Sequence, residues 1–336
     1  MSTESGSYEL PETFTVPVVA ESARCPVAPI VKSVFEGLAC SEAAADIPLP
    51  GSATHVTGWL CVEQPGAWGR DVLADQVLGA EITTELAART KAARVRPTLI
   101  RRPGRHLMTG PRTVLLAAAR PGEAWCERLE IEDLEELLKL DLQLLNGPAP
   151  GLGEPLTGED TPVLVCAHGK RDQCCARLGR PIAARLAEVY PERVWECSHT
   201  GGHRFAPAMV LLPSGLTYGR IDGDAALSAV AALDLNMLSL TGFRGRSGHG
   251  PVQQVAEIAV RERISAPADA LTVTPLPAES DPEDPAYAGT AEVVHHDGRR
   301  WRVTAGVVGY PPRPASCGAP AKAASAVVAT DVVELG

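Results

Sequence analysis

"PVLVCAHGKRDQCCARLGRPIAARLAEVYPERVWECSH", residues 162–199, places two short apolar runs on either side of a helical segment. Val163 to Cys166 reads as a buried strand, and "RVWECSH" as a second. Between them, Leu178, Ile182 and Leu186 fall on one face of a helix, with Pro181 at a first-turn position. Downstream, "AMVLLP" (208–213) and "LTYGRID" (216–222) continue as strands and "DAALSAVAALDL" (224–235) as a helix. Strand, crossover helix, parallel strand, antiparallel hairpin and capping helix is the element order of a thioredoxin-like α/β domain, which a right-handed crossover closes readily.

Upstream the same order occurs once more. "THVTGWLCVEQ" (54–64) reads as a strand, "PGAWG" (65–69) as a turn and "ITTELAARTKAA" (82–93) as a helix. "RPTLIRR" (96–102), "RTVLLAAAR" (112–120) and "AWCERLEI" (124–131) follow as strands, and "EDLEELLKLDLQLL" (132–145) as a closing helix. The expected architecture is α/β, with tandem thioredoxin-like domains formed by a pseudo-duplication and a small β-rich C-terminal extension. Its parts are a flexible N-terminal segment (1–35), a first unit (36–157), a second unit (158–266) and the extension (267–336). The loop "TGFRGRSGHG" (241–250) leads to a helix with Val252, Val255, Ile258 and Ala259 inward; "PLPAESDPEDPAYAG" (275–289) reads as an exposed linker. "TAEVVHHDGRRWRVTAGVV" (290–308) reads as a hairpin turning at Asp297-Gly298. The tail beyond it receives no assignment.

With 336 residues, 45% of them apolar and 21% charged, the chain has the composition of an ordinary globular protein. A formal charge of -10 argues against a nucleic-acid surface. No apolar run reaches membrane-spanning length, and "MSTESGSYELPETF" has neither a basic region nor a hydrophobic core, so a cytoplasmic location is expected. Nine cysteines without a leader favour metal or redox use over a secreted disulfide framework.

Chemistry concentrates in two places, "CAHGKRDQCC" (166–175) and "SHTGGHRFA" (198–206). Cys166 ends one strand, Cys174 and Cys175 precede a helix, and His199 and His203 follow the neighbouring parallel strand. In an open α/β sheet the carboxyl ends of adjacent parallel strands face one crevice, so the clusters should converge on a metal site. Gly201 and Gly202 suit a backbone bent around a ligand, or a plain turn. Lys170, Arg171 and Arg204 are candidates for offsetting thiolate charge or guiding an acidic partner, or are solvated surface cations. Asp172 could fix a histidine tautomer; His168 reads as a surface or supporting residue. Cys25, Cys40, Cys61, Cys126, Cys197 and Cys317 read as small buried thiols. Trp59, Glu63 and Trp68 read mainly as core elements around a strand and turn. "FRGRSGHG" is either a basic docking loop or a turn paired with helix carboxylates. His295 and His296 should face opposite sides of a strand.

"VLVCAHGKRDQCC" with "SHTGGHRFA", supported by "GWLCVEQPGAWG" and "FRGRSG", resembles the sucrase/ferredoxin-like family over about residues 35–265. That resemblance implies a thioredoxin-like ferredoxin with a bis-histidinyl [2Fe-2S] cluster, and carries the ligand roles onto Cys166, Cys175, His199 and His203. The doublet leaves the second thiol open by one residue; eight intervening residues favour Cys175 over Cys174. A redox carrier rather than a catalyst is implied, served by a separate redox partner protein, with no nucleic acid and no membrane. Two thiolates and two imidazoles can hold such a cluster. They can also hold structural zinc, although zinc signatures usually pair their cysteines more closely. A thiol-disulfide oxidoreductase is a third reading, against which stands the lack of Cys-x-x-Cys. No carboxylate pair suggests a sugar hydrolase, and no glycine-rich nucleotide loop follows a strand.

Overall fold

The computed structural model describes residue 35 and residues 37–104, 110–277 and 286–335. The N-terminal segment through residue 34, expected to be flexible and including Cys25, lies outside the described residues. The described residues form a mixed α/β structure with one ten-stranded and one four-stranded sheet. It begins with the short helix α1 (Cys40–Ala43), β1 (Gly58–Glu63), α2 (Ala80–Ala93), β2 (Val95–Arg101), β3 (Arg112–Ala118), β4 (Trp125–Ile131) and β5 (Glu154–Pro155). Next are β6 (Val163–Cys166), α3 (Gln173–Ala187), β7 (Val194–Cys197), β8 (Ala208–Leu211), β9 (Leu216–Gly219), α4 (Gly223–Asp234), β10 (Phe243–Arg246) and α5 (Pro251–Arg261). The small antiparallel sheet is β11 (Leu271–Leu276), β12 (Tyr287–His295), β13 (Arg300–Pro314) and β14 (Ala321–Glu334).

The large sheet runs β10-β9-β8-β6-β7-β2-β1-β3-β4-β5. β1 and β2 are parallel, as are β6 and β7, while β2 meets β7 antiparallel through Ile100 opposite Cys197 and Arg101 opposite Glu196. Period-two alternation along β6 divides the core: Val163 and Val165 pack under α3 and α4, Leu164 and Cys166 on the other face. On that second face Trp59, Cys61, Ile100 and Leu115 join Leu164, Cys166, Cys175, Trp195 and Val210 in one cluster that runs across both halves.

Several expectations are corrected. Residues 132–145 are not one helix but two 3-10 turns, Leu134–Lys139 and Leu142–Asn146. Leu140 is extended between them, and Asp141 caps the second turn by accepting from the Gln143 amide. Two local caps and burial of Leu137, Leu142 and Leu145 against the first half override helix propensity. α3 starts at Gln173, so Cys174 and Cys175 lie in its first turn rather than in a preceding loop, and Pro181 sits inside it. Asp172 is its N-cap, accepting from the Cys174 amide at 2.9 Å.

The "FRGRSGHG" loop forms edge strand β10, and its arginines point inward: Arg244 is buried, and Arg246 binds Glu257 at 3.0 Å. Of the expected linker 275–289, both ends are strand, and residues 278–285 lie outside the described residues. The hairpin turns at Asp297-Gly298 as expected, but the unassigned tail is the long strand β14. His295 and His296 do not diverge: β12 ends at His295, and the rings lie 4.3 Å apart. α5 is enclosed between the sheets; Ala256, Ala259 and Val260 pack against Val293, Trp301 and Val303.

Candidate metal centre

β6 and β7 end side by side, Cys166 opposite Cys197, and from this edge the chain delivers its thiols and imidazoles. α3 packs so closely on β6 that a Cβ on Gly179 would collide with the Cys166 carbonyl oxygen. That contact holds the first turn of α3, and with it Cys175, over the end of the strand. Cys166, Cys175 and His199 each bring a ligand atom within 4.8 Å of the others. His199 Nδ1 lies 3.9 Å from each of the two sulfurs. On the far side of the ring, His199 Nε2 lies 3.2 Å from His203 Nδ1.

The doublet divides between two environments. Cys175 turns to Cys166 and His199, whereas Cys174 turns away to Cys40 and Cys317. Asp172 does not orient an imidazole: it accepts from the Cys174 and Cys317 amides and from Ser316 Oγ. Arg204 stacks over Phe205, and exposed Arg171 reaches Asp71 only at 3.9 Å. Gly201 and Gly202 have φ of +101° and +71°, in the region that favours glycine. Side chains on either would strike Thr54 and Arg244 respectively.

The supporting arginines and the Gly69 carbonyl were not evident from sequence. His168, expected as a surface or supporting residue, is buried. Its Nδ1 accepts from the His199 amide at 3.2 Å, so the proton is on Nε2, 2.9 Å from the Gly69 carbonyl. Trp68 meets His168 in a near-perpendicular ring pair and donates to the Gln64 carbonyl. Arg96, from β2 of the other half, donates to the His199 carbonyl at 2.6 Å. Buried Arg244 reaches Ser52 Oγ and the carbonyls of Ser52 and Gly201. A basic residue in a buried strand is the signal these arginines leave in a sequence, and it does not say what they face.

Electrostatics favour one thiolate. Cys166 is held well below the ordinary thiol range by hydrogen bonding from Cys175, against the effect of burial and with help from His199. Cys175 keeps the shared proton, pushed up by Cys166 and by burial. Burial, then His199, lowers the pKa of His203, leaving a neutral ring with a lone pair for a metal at neutral pH. Two thiols and two imidazoles make a donor set suited to a metal or a small metal cluster, with the buried Arg244 and half-buried Arg96 guanidiniums nearby.

A family model described as sucrase/ferredoxin-like matches residues 49–236, a span that contains Cys166, Cys175, His199 and His203 but not Arg244. No curated protein and no solved structure matches the chain. No helix among the described residues is long and apolar enough to cross a membrane. The match covers more than half of the chain, and the chain belongs to the sucrase/ferredoxin-like family.

Proposed function

We propose that the protein is an electron carrier whose Cys166, Cys175, His199 and His203 hold one [2Fe-2S] cluster. The observation that supports this most directly is the convergence of Cys166, Cys175 and His199 within 4.8 Å, with His203 adjoining His199, in a ferredoxin-like family. The donor set fits the group. His199 turns Nδ1 toward the two sulfurs and Nε2 toward His203 Nδ1 at 3.2 Å, so placing both imidazoles on one iron and both thiolates on the other requires the His199 ring to turn. When bound, such a cluster accepts and releases one electron, and imidazole ligands in place of thiolates raise its potential.

The chain's own residues prepare the centre. The Cys166 thiolate is already favoured, His203 is neutral, and His168 and Arg96 fix the His199 backbone. Arg96 and Arg244 place positive charge close enough to Cys166 to favour its thiolate. In this reading the two halves are tandem thioredoxin-like units, 36–157 and 158–266, with the cluster in the second. The first is more than a packing partner, because it contributes Arg96 and the Gly69 carbonyl. Electrons come from a separate redox protein, for which Arg70, Lys170, Arg171 and Arg177 form an exposed basic rim along an adjacent cavity of about 1060 Å³.

Iron, acid-labile sulfide and zinc content of anaerobically purified protein, with an electron paramagnetic resonance spectrum after dithionite reduction, tests the assignment. Two irons, two sulfides and a rhombic signal altered by His199→Cys or His203→Cys are expected. Zinc without iron, bound by these four residues, would replace the carrier with a structural zinc centre.

A further inference from the structure

A second cluster of metal-binding side chains lies beside the first, built from three distant parts of the chain. Cys40 is in α1, Asp172 and Cys174 are at the start of α3, and Cys317 lies in the turn from β13 to β14. Their ligand atoms all fall within 4.8 Å of one another. The sulfurs form a triangle, with Cys40 to Cys174 at 3.6 Å, Cys40 to Cys317 at 3.6 Å and Cys174 to Cys317 at 3.2 Å. The Asp172 carboxylate caps it, its oxygens 3.5 and 3.6 Å from the Cys40 sulfur.

We propose that Cys40, Cys174, Cys317 and Asp172 form a structural zinc site, separate from the Cys166 centre. A tetrahedral zinc with sulfur at about 2.3 Å and oxygen at about 2.0 Å sets sulfurs about 3.8 Å apart and sulfur about 3.5 Å from oxygen. The observed edges come within a few tenths of an ångström of these values, apart from the shorter Cys174 to Cys317 edge. Four protein ligands and no open position describe a structural rather than a catalytic site. A hard carboxylate among three thiolates favours a divalent borderline ion over copper(I).

The surrounding hydrogen bonds run toward these ligands, as they do around metal-binding anions. Ser41 Oγ donates to Cys174 Sγ at 3.3 Å. Ser316 Oγ and the Cys317 amide each donate to one Asp172 oxygen at 2.9 Å, and the Cys174 amide donates to the other at 2.9 Å. Without a cation, burial and then the Asp172 charge keep the Cys40 thiol protonated. Zinc binding converts three thiols to thiolates and releases three protons to solvent, with no change of oxidation state.

Such a site would clamp α1 and the β13-β14 turn onto the first turn of α3, next to Cys175. The same turn brings the Ala315 backbone beside His203, so the clamp closes one side of the neighbouring centre. A Cys174–Cys317 disulfide is the competing occupant. It requires the sulfurs to close to about 2.05 Å, and it leaves Cys40 unpaired beside an anionic Asp172.

The test counts zinc in full-length protein purified without oxygen or added metal. Zinc X-ray absorption on the unaltered chain should show three sulfurs and one oxygen. The Cys166→Ala/His199→Ala protein, unable to build the first centre, should retain one zinc per chain and take up one cobalt(II) after zinc is stripped, with thiolate charge-transfer and tetrahedral ligand-field bands. In that background Cys40→Ser and Cys317→Ser should each lower zinc affinity at least tenfold. Zinc held by two sulfurs and two nitrogens alone, cobalt(II) without thiolate bands, or a Cys174–Cys317 disulfide with no zinc in the anaerobic protein would each overturn the site. Iron content of the unaltered chain reads out the carrier proposal separately, so either can fail alone.

Discussion

Cys174 and Cys175 are adjacent in sequence and separate in chemistry, because successive side chains near a helix start point about 100° apart. Cys175→Ser should abolish iron binding, while Cys174→Ser should keep at least most of the iron and lose zinc; metal analysis of the two proteins checks both. A second test uses charge. Replacing a neutral imidazole with a thiolate, as in His199→Cys, should lower the midpoint potential by on the order of 100 mV or more, given the offset between Rieske and all-cysteine clusters. Arg244→Gln should also lower it, by on the order of tens of millivolts, because it removes a buried positive charge that acts on Cys166 and Cys175. A structural role alone would reduce cluster yield without moving the potential. The proposed ligands were legible in the sequence because cysteine and histidine announce metal chemistry through type and spacing. Arg96, Arg244 and the Gly69 carbonyl were not, since they approach from the other half or from beyond α4. Cys40 and Cys317, 277 positions apart, had been read as incidental thiols, and only folding brings them together.

Elements position these residues through tight packing that small changes should disturb. Gly202→Ala puts a Cβ into the Arg244 guanidinium at a φ of +71°, a strain of about 1–3 kcal/mol, to be read as a lower melting temperature and reduced cluster occupancy. α5 holds the two sheets together around Glu257, which is buried and binds Arg246 and Arg261, each at 3.0 Å, with His249 at 3.6 Å. Burial would raise its pKa, but Arg246, His249 and Arg261 outweigh burial and hold it below the ordinary carboxylate range. The stabilisation is therefore complete above about pH 4.3, the unfolded glutamate value, and is lost as the pH falls through the lowered folded value. Glu257→Gln should cost about 3–5 kcal/mol at pH 7, as expected when a buried ion pair loses one partner. It should also flatten the acid limb of a pH-stability profile from chemical denaturation. Apolar runs made most strands of the large sheet legible, though not β5 or β10, and period 3.6 did the same for the body of α3 and for α5. Residues 132–145 misled because their leucines suit either a helix or two capped turns, and burial against α2 decided between them. α3 was placed late because Pro181 resembles a helix start, whereas the Asp172 cap nine residues earlier is the true one.

At the scale of the molecule, the two halves are not independent beads. Trp59 and Leu115 share a core with Leu164 and Trp195, and Arg96 crosses from one half to hold a loop of the other. The sequence could not show this, since a repeated element order does not say which edges of two sheets will join. Charge is equally uneven. The chain carries a formal -10, yet Arg70, Lys170, Arg171 and Arg177 are all exposed along one cavity next to the centre. Overall charge therefore repels an acidic partner at long range, while the local field at the rim attracts it. Screening lengths near 8 Å at physiological ionic strength let the local term win at contact. A reductase or acceptor with an acidic face should therefore bind here, and its electron-transfer rate should fall as salt rises. Lys170→Glu/Arg171→Glu should slow association about tenfold or more at low ionic strength and flatten the salt dependence. Iron content should change little, because both side chains are exposed, while the midpoint potential should fall, because the Arg171 charge is felt at His203. Stopped-flow reduction at several salt concentrations measures all of this. Equal slowing at every ionic strength would instead place the partner elsewhere and attribute the loss to damage at the centre.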